Sequence, residues 1–180
     1  AGVFQISSVA MTGRLALHLA DGTTLLHANN AVDHMIKLTG SFLSIDGGTI
    51  NGNQANQNPI TLYTISAAIP SGTAIKIEEC SFINTLSAAL GGTNFGGLLE
   101  VRYCQFSGMR EHDGVLNHET CAVTIQTGQA GQKGLFRFNH NTLTGTAAPV
   151  LPGGSPGGIF FAPVIDLPTG VGNYSSLEAI

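Results

Sequence analysis

The sequence predicts an all-β fold in which short strands of successive repeats stack on one another, as in solenoid proteins. Three observations predict this fold. Glycine accounts for 24 of the 180 residues, so turns are expected to be frequent. Charged residues make up 10 % of the chain and apolar residues 43 %, a balance that favours a packed core over disorder. The third observation is a strand-and-turn pattern that recurs four times without gaps.

The recurring pattern reads apolar-x-apolar-x-x-small-x-apolar-x-turn. It predicts four coils: 42–53, 74–85, 98–109 and 135–146. Their starting points lie 32, 24 and 37 residues apart, as expected for a coil of constant length with inserted loops. Because one copy cannot bury its own apolar face, the pattern predicts that the copies stack.

Equivalent positions of the four copies form columns of similar residues. Two inward columns lie two residues apart and therefore share one face of a strand; they are Leu43, Ile75, Leu99, Phe136 and Ile45, Ile77, Val101, Phe138. A small-residue corner column follows: Gly48, Cys80, Cys104 and Asn141. A second strand then supplies the large apolar column Ile50, Phe82, Phe106 and Leu143. The last column holds residues that tolerate a left-handed backbone: Gly52, Asn84, Gly108 and Gly145.

Outward positions test this alignment through the signs of their charges. Lys76, Glu100 and Arg137 fall in one outward column, and Glu78 and Arg102 fall in the next. Stacked strands lie about 4.8 Å apart, so these residues would face one another with opposite charge. The alignment therefore predicts ion pairs between adjacent coils.

The rest of the chain gives weaker signals. Further strands are predicted in 14–27, which turns at Asp21-Gly22, and in 58–66 and 119–127. A loop rich in proline and glycine is predicted at 145–158, followed by the apolar segment 159–167. The domain is predicted to cover 1–167, with 168–180 as a C-terminal tail or inter-chain segment.

Composition and spacing exclude several classes of protein. The net charge of −4 argues against a duplex-binding protein, which would carry a basic stripe. The chain contains no apolar run long enough for a membrane helix, and its first residues do not have the pattern of a signal peptide. Three cysteines without paired spacing, Cys80, Cys104 and Cys121, are expected to be buried small residues. No cofactor is predicted.

The stretch GTTLLHANN…IKLTGSFLSIDGGTINGN (22–53) resembles the first coils of the pectin-lyase-like group, in which a GT strand precedes an I-x-GG-x-I-x-GN coil. The resemblance covers roughly residues 15–145. It implies a right-handed, single-stranded parallel β-helix with a few coils and loop insertions. The sequence does not contain the Asp-Asp and Gly-His-Gly signatures of polygalacturonases.

The densest polar segment is REHDGVLNHE, residues 110–119. One hypothesis makes it a carbohydrate-cleaving site, in which Arg110 holds a uronate carboxylate and His112 or His118 acts as general base. Asp113 and Glu119 would form the carboxylate pair of a glycosidase. The alternative is a solvated loop whose charges pair with each other. A metal site built from these histidines and acids is a further alternative that no spacing supports.

Aromatic residues provide candidate sugar contacts, because sugars stack on ring faces. The candidates are Tyr63, Phe95, Tyr103 and Tyr174, of which Tyr103 is the best placed, at an outward corner. Arg102 beside it is a second candidate substrate-binding residue. The remaining histidines, His18, His27, His34 and His140, are expected to be structural.

Three functions fit these features. The favoured one is a structural or receptor-binding β-helix segment of a virion tailspike or tail fibre, a homotrimer that contacts cell-surface polysaccharide and neither binds nucleic acid nor inserts into a membrane. The second is a polysaccharide lyase or glycoside hydrolase acting at the 102–119 region. The third is a bacterial surface adhesin or filament subunit. All three place the protein on a virion or outside the cell.

Overall fold

The computed structural model describes residues 1–57, 63–85, 88–109, 122–126, 134–146, 165–166 and 176–179. These residues are almost entirely β-strand, and their one helical element is a single 3-10 turn at Gln54–Asn56. Every strand pair among them is parallel. The prediction of an all-β fold is therefore confirmed.

The described part contains sixteen strands. They are β1 Gly2–Ile6, β2 Val9–His18, β3 Thr23–His27, β4 Ile36–Asp46, β5 Thr49–Asn51, β6 Tyr63–Ala68, β7 Ala74–Glu78, β8 Ser81–Ile83, β9 Ala88–Thr93, β10 Leu98–Arg102, β11 Gln105–Met109, β12 Val123–Gln126, β13 Leu135–Asn139, β14 Thr142–Thr146, β15 Ile165–Asp166 and β16 Ser176–Ala179.

These strands form two parallel sheets, and the chain contributes strands to both sheets as it passes from one repeat to the next. The six-stranded sheet has the order β1-β3-β5-β8-β11-β14. The ten-stranded sheet is centred on β4, which pairs with β2 along its length. Two wings extend from β4: the first wing (β6, β9, β12, β15) pairs with its first half, and the second wing (β7, β10, β13, β16) with its second half. Each middle repeat therefore contributes one strand to the first wing, one to the second wing and one to the six-stranded sheet.

The predicted inward columns are confirmed residue by residue. Ile45 pairs with Ile77, Ile77 with Val101 and Val101 with Phe138. The column of the six-stranded sheet is longer than predicted; it contains Phe4, Leu25, Ile50, Phe82, Phe106 and Leu143. Its central rings, Phe82 and Phe106, stack with centroids 4.9 Å apart. The alternation of apolar and polar residues therefore fixes the register, because a slip of one residue would expose the whole set.

The predicted ion pairs are also present. Lys76 Nζ lies 3.5 Å from Glu100 Oε2, and Arg137 Nη1 lies 3.9 Å from Glu100 Oε1. Arg102 Nε lies 2.7 Å from Glu78 Oε1. These contacts connect β7, β10 and β13 through their outward faces.

The left-handed turn column is confirmed in two of the four copies. Asn84 has φ 51° and Gly108 has φ 62°. In the first copy the left-handed residue is Asn53 (φ 53°) and not the predicted Gly52. Gly52 is small for another reason, since a Cβ there would lie 2.7 Å from the Cα of Thr85. Gly145 lies within β14.

The corner column places two free thiols inside the core. Cys80 and Cys104 are each 1 % exposed, as predicted, and Cys121 lies outside the described residues. Each thiol donates to a backbone carbonyl, Cys80 to Glu78 O at 3.2 Å and Cys104 to Arg102 O at 3.4 Å. The neighbouring Cys104 thiol and burial raise the pKa of Cys80, so its thiol stays protonated.

The predicted boundary at residue 167 stays a prediction. Within the predicted tail, Ser176–Ala179 forms β16 and pairs with β13. The described part of the chain contains no helix long and apolar enough to cross a membrane.

Candidate functional site

A two-residue corner leads into the six-stranded sheet in four successive repeats, from β4 and from β7, β10 and β13 of the second wing. Its first residue has a left-handed backbone each time, with φ between 56° and 76°: Gly47, Glu79, Tyr103 and His140. In the first three of these repeats the backbone N–H of this residue donates to a carbonyl of the next repeat: Gly47 to Glu78 O at 3.0 Å, Glu79 to Arg102 O at 3.1 Å and Tyr103 to Asn139 O at 3.2 Å. These hydrogen bonds hold the corner in the same shape from one repeat to the next.

Three of these corner residues carry exposed side chains, and we call Glu79, Tyr103 and His140 the corner ridge. The Tyr103 and His140 rings are nearly parallel, with centroids 5.1 Å apart and an interplanar angle of 4°, and Tyr103 is 53 % exposed. A left-handed backbone costs a bulky residue about 1–2 kcal/mol. Strained residues of this kind cluster at functional sites, which singles out the ridge on the described surface.

The ridge borders the ion-paired face of the second wing. The Arg102 guanidinium carbon lies 6.0 Å from the Tyr103 ring centroid, while Arg102 Nε is held by Glu78. The Glu78 carboxylate raises the pKa of Arg102, so the guanidinium stays charged. Glu100 is only 7 % exposed because Lys76 and Arg137 cover it from both sides.

All five described lysines and arginines have a partner. Besides the three on the second wing, Lys37 pairs with Asp33, and Arg14 lies over the Phe42 ring at 5.7 Å. The ridge therefore offers a ligand two rings and the Glu79 carboxylate. Each described lysine or arginine already contacts another side chain of the protein. This arrangement favours an uncharged, hydroxyl-rich ligand over an anionic one.

The structure brings together two of the predicted site residues, Arg102 and Tyr103. The other predicted residues lie outside the described part of the chain: Arg110, His112, Asp113, His118 and Glu119. β11 runs about 13 Å from Gln105 to Met109, so Met109 lies at the opposite end of this strand from the ridge.

Glu79 and His140 are ridge residues that sequence reasoning did not assign to a site. The repeat alignment carries the signal for them, because both occupy the position before the small corner residue, as Tyr103 does. His140 was predicted to be structural, yet its ring is exposed beside that of Tyr103.

The other aromatic candidates are engaged or lie elsewhere. The prediction for Phe95 is wrong, because its ring is 4 % exposed and packs on Gly134, where a Cβ would lie 2.4 Å from it. Tyr63 packs on Gly91 in the same way, and the His34 ring lies parallel to it at 5.7 Å. Tyr174 lies outside the described residues.

A buried histidine fixes the segment between β3 and β4. The His27 side chain is 1 % exposed, and its Nε2–H donates to Asp33 O at 3.0 Å. Nearby, the His34 imidazole donates from Nδ1 to Tyr63 O at 2.9 Å. Burial lowers the pKa of His27 below its usual value of 6.5, despite backbone contacts with Asp33 and Ser7 that oppose the shift. His27 is therefore structural, as predicted.

We expect stability to fall as the pH is lowered from 7.5 through 6.5, because the unfolded chain then binds a proton that folded His27 does not. The slope ends at the lowered pKa of the folded protein and is at most about 1.4 kcal/mol per pH unit for this group. Urea unfolding of wild type and His27→Gln at several pH values measures it. Parallel pH profiles for the two proteins would contradict the assignment.

No metal site is found in the described residues, where no three His, Cys, Asp or Glu side chains are arranged to hold an ion. The alternative metal site at His112 and His118 lies outside those residues. Comparison of the chain with protein families, curated proteins and solved structures finds no match.

Proposed function

We propose that the chain is a right-handed, single-stranded parallel β-helix. The proposal is supported by the three-strand repeat, by the in-register inward columns and by the constant two-residue corner. Right-handedness is supported by the general rule that parallel crossover connections are right-handed in about 98 % of cases.

We propose further that this β-helix is a structural, receptor-binding segment of a virion tailspike or fibre, a homotrimer that contacts cell-surface polysaccharide. The observation that carries this proposal is the exposed Tyr103 ring, parallel to His140 and held on a hydrogen-bonded corner. A sugar ring can stack on such a surface with little ordering cost, because the backbone beneath is already fixed. The partnered cations support a neutral glycan as the ligand.

Removing the Tyr103 ring is expected to weaken glycan binding about tenfold, which corresponds to about 1.4 kcal/mol. Tyr103→Asn is the appropriate change, because asparagine tolerates the left-handed backbone. Tyr103→Phe is the matched control and should keep most of the affinity. Binding is measured on a panel of neutral and acidic bacterial surface oligosaccharides; equal affinity of the two variants for the bound glycan would contradict the role of the ring.

The alternative function, a polysaccharide lyase or glycoside hydrolase, is tested on the same panel by release of reducing ends or unsaturated uronates. Loss of that release in Asp113→Ala or Glu119→Ala, with binding retained, would establish cleavage at the 110–119 segment. A bound but intact glycan supports the receptor-binding proposal. Absence of any glycan binding would favour the third function, a spacer in an adhesin or filament.

A further inference from the structure

The corner ridge leaves one face of the Tyr103 ring open toward the preceding repeat. The Tyr103 and His140 rings are parallel, with centroids 5.1 Å apart, and Tyr103 is nevertheless 53 % exposed. A third ring between them would need about 3.5–4.0 Å of clearance from each, so a sugar cannot enter there. Because His140 belongs to the repeat after Tyr103, the other face of Tyr103 points toward the repeat before it, where Glu79 occupies the corner.

Two charged side chains flank this open face. The Arg102 guanidinium carbon lies 6.0 Å from the Tyr103 centroid, and Arg102 Nε lies 2.7 Å from Glu78 Oε1 of the preceding repeat. Glu79 follows Glu78 directly, and its side chain is exposed. The backbone N–H of Glu79 donates to Arg102 O at 3.1 Å, which places the Glu79 backbone beside the end of the strand that precedes Tyr103.

The Glu79 carboxylate is available to a ligand. Within the described residues no ion pair or hydrogen bond engages it, whereas Glu78 is paired with Arg102 and Glu100 with Lys76. An ionised carboxylate only accepts hydrogen bonds, and two neighbouring sugar hydroxyls can donate to its two oxygens. A carboxylate on the ligand would instead be repelled.

We propose that Glu79 is a specificity-determining residue of the glycan site. It accepts hydrogen bonds from adjacent hydroxyls of the sugar that stacks on the open face of Tyr103, and it rejects sugars that carry a carboxylate. The inference rests on the proposed glycan binding and narrows the ligand to a class: uncharged sugars with two adjacent free hydroxyls.

The test compares one acidic oligosaccharide with its carboxyl-reduced form, in which each uronate has been converted to the corresponding neutral hexose. The pair is chosen from the surface-oligosaccharide panel as one whose reduced form binds. Wild type should bind the reduced form about fivefold more tightly than the acidic form at low ionic strength. Glu79→Gln, which keeps the side-chain length, should bring the two affinities to within about twofold. Added salt should narrow the ratio of the wild type and leave that of the variant unchanged.

Asp21→Asn is the matched control, because it removes the same charge at another exposed position. Asp21 precedes β3 and Tyr103 precedes β11, which are three strand spacings apart in the six-stranded sheet, or about 14 Å. This variant should keep the wild-type ratio. Urea unfolding of both variants checks that they are folded.

The outcomes separate this inference from the function on which it rests. Absence of binding to every oligosaccharide by the wild type would overturn both. Binding that Tyr103→Asn weakens, with a ratio between the two probes that Glu79→Gln leaves unchanged, would overturn the role of Glu79 alone. An equal loss for both probes in Glu79→Gln would make Glu79 structural, and an equal change of the ratio in Asp21→Asn would make the effect one of net charge; either result would overturn the inference.

Discussion

Replacing Phe106 with alanine is expected to lower the free energy of unfolding by about 3–5 kcal/mol, a large part of the stability of a domain of this size. Phe106 is 1 % exposed. Its ring stacks on Phe82 at 4.9 Å and lies 5.8 Å from the Phe138 ring of the neighbouring sheet. The cavity would lie at the centre of a column, where strands on both sides hold their positions and cannot collapse into it.

Phe4 provides the internal control, because it is the exposed end of the same column. Phe4→Ala should cost about 1 kcal/mol or less, since more than half of the side chain already faces solvent. Urea unfolding of both variants, with the slope m compared to detect changes in the unfolded state, measures the difference. Similar losses at the two positions would mean that the column does not carry the stability assigned to it.

Gly47→Ala is expected to cost about 2–5 kcal/mol. The new side chain would force a non-glycine residue into φ 76° and would place a Cβ 2.4 Å from Leu19 O, a backbone atom that cannot move aside easily. The left-handed backbone contributes about 1–2 kcal/mol and the steric conflict about 1–3 kcal/mol.

Glu79→Gly is the matched change at the equivalent corner of the next repeat, where φ is 56°. There, relief of left-handed strain and the greater flexibility of unfolded glycine oppose each other. Its stability should therefore stay within about 1 kcal/mol of wild type, as measured by thermal or urea unfolding. A loss in Glu79→Gly as large as that in Gly47→Ala would show that the corner depends on side-chain contacts and not on backbone geometry.

The second wing and the six-stranded sheet could be predicted from the sequence. There the apolar residues alternate strictly, and the tight corner keeps the spacing between the two strands constant, so residues such as Ile45 and Ile77 align without gaps. The opposite charges of Lys76 and Glu100 supported the alignment independently, because the alignment was made on the inward apolar columns and not on the outward residues.

The first wing was harder to predict because its strands are short and rich in small residues. β9 (Ala88–Thr93) contains two consecutive glycines, a pair that is uncommon inside strands, and the Tyr63 ring covers Gly91. That contact joins residues 28 positions apart in a part of the chain where the loops vary in length, so no local pattern reveals it. β2 is largely exposed because it lies at the end of the stack of described strands. The alternation of its residues alone does not reveal that position.

Tyr103 and Arg102 could be predicted as site residues, because the repeat alignment gives their position at the corner and the sequence gives their residue types. The parallel stack with His140 was not predictable in the same way, because it depends on ring orientation across two strands 37 residues apart. The predictions for Asp113 and Glu119 rested on local composition alone, and they stay predictions.

The parallel arrangement has a consequence for how the chain folds. Every described pair joins residues at least 21 positions apart, as Gly2 and Thr23 are, and none is a hairpin. The described strands therefore have no short-range pairing with which to nucleate, and loop-closure entropy must be lost before any of their ladders forms. Refolding should be slow for a chain of this length, on the order of seconds or longer. Until a first pair of repeats has closed, its apolar strands are available to neighbouring molecules, so yield on refolding should fall steeply as protein concentration rises.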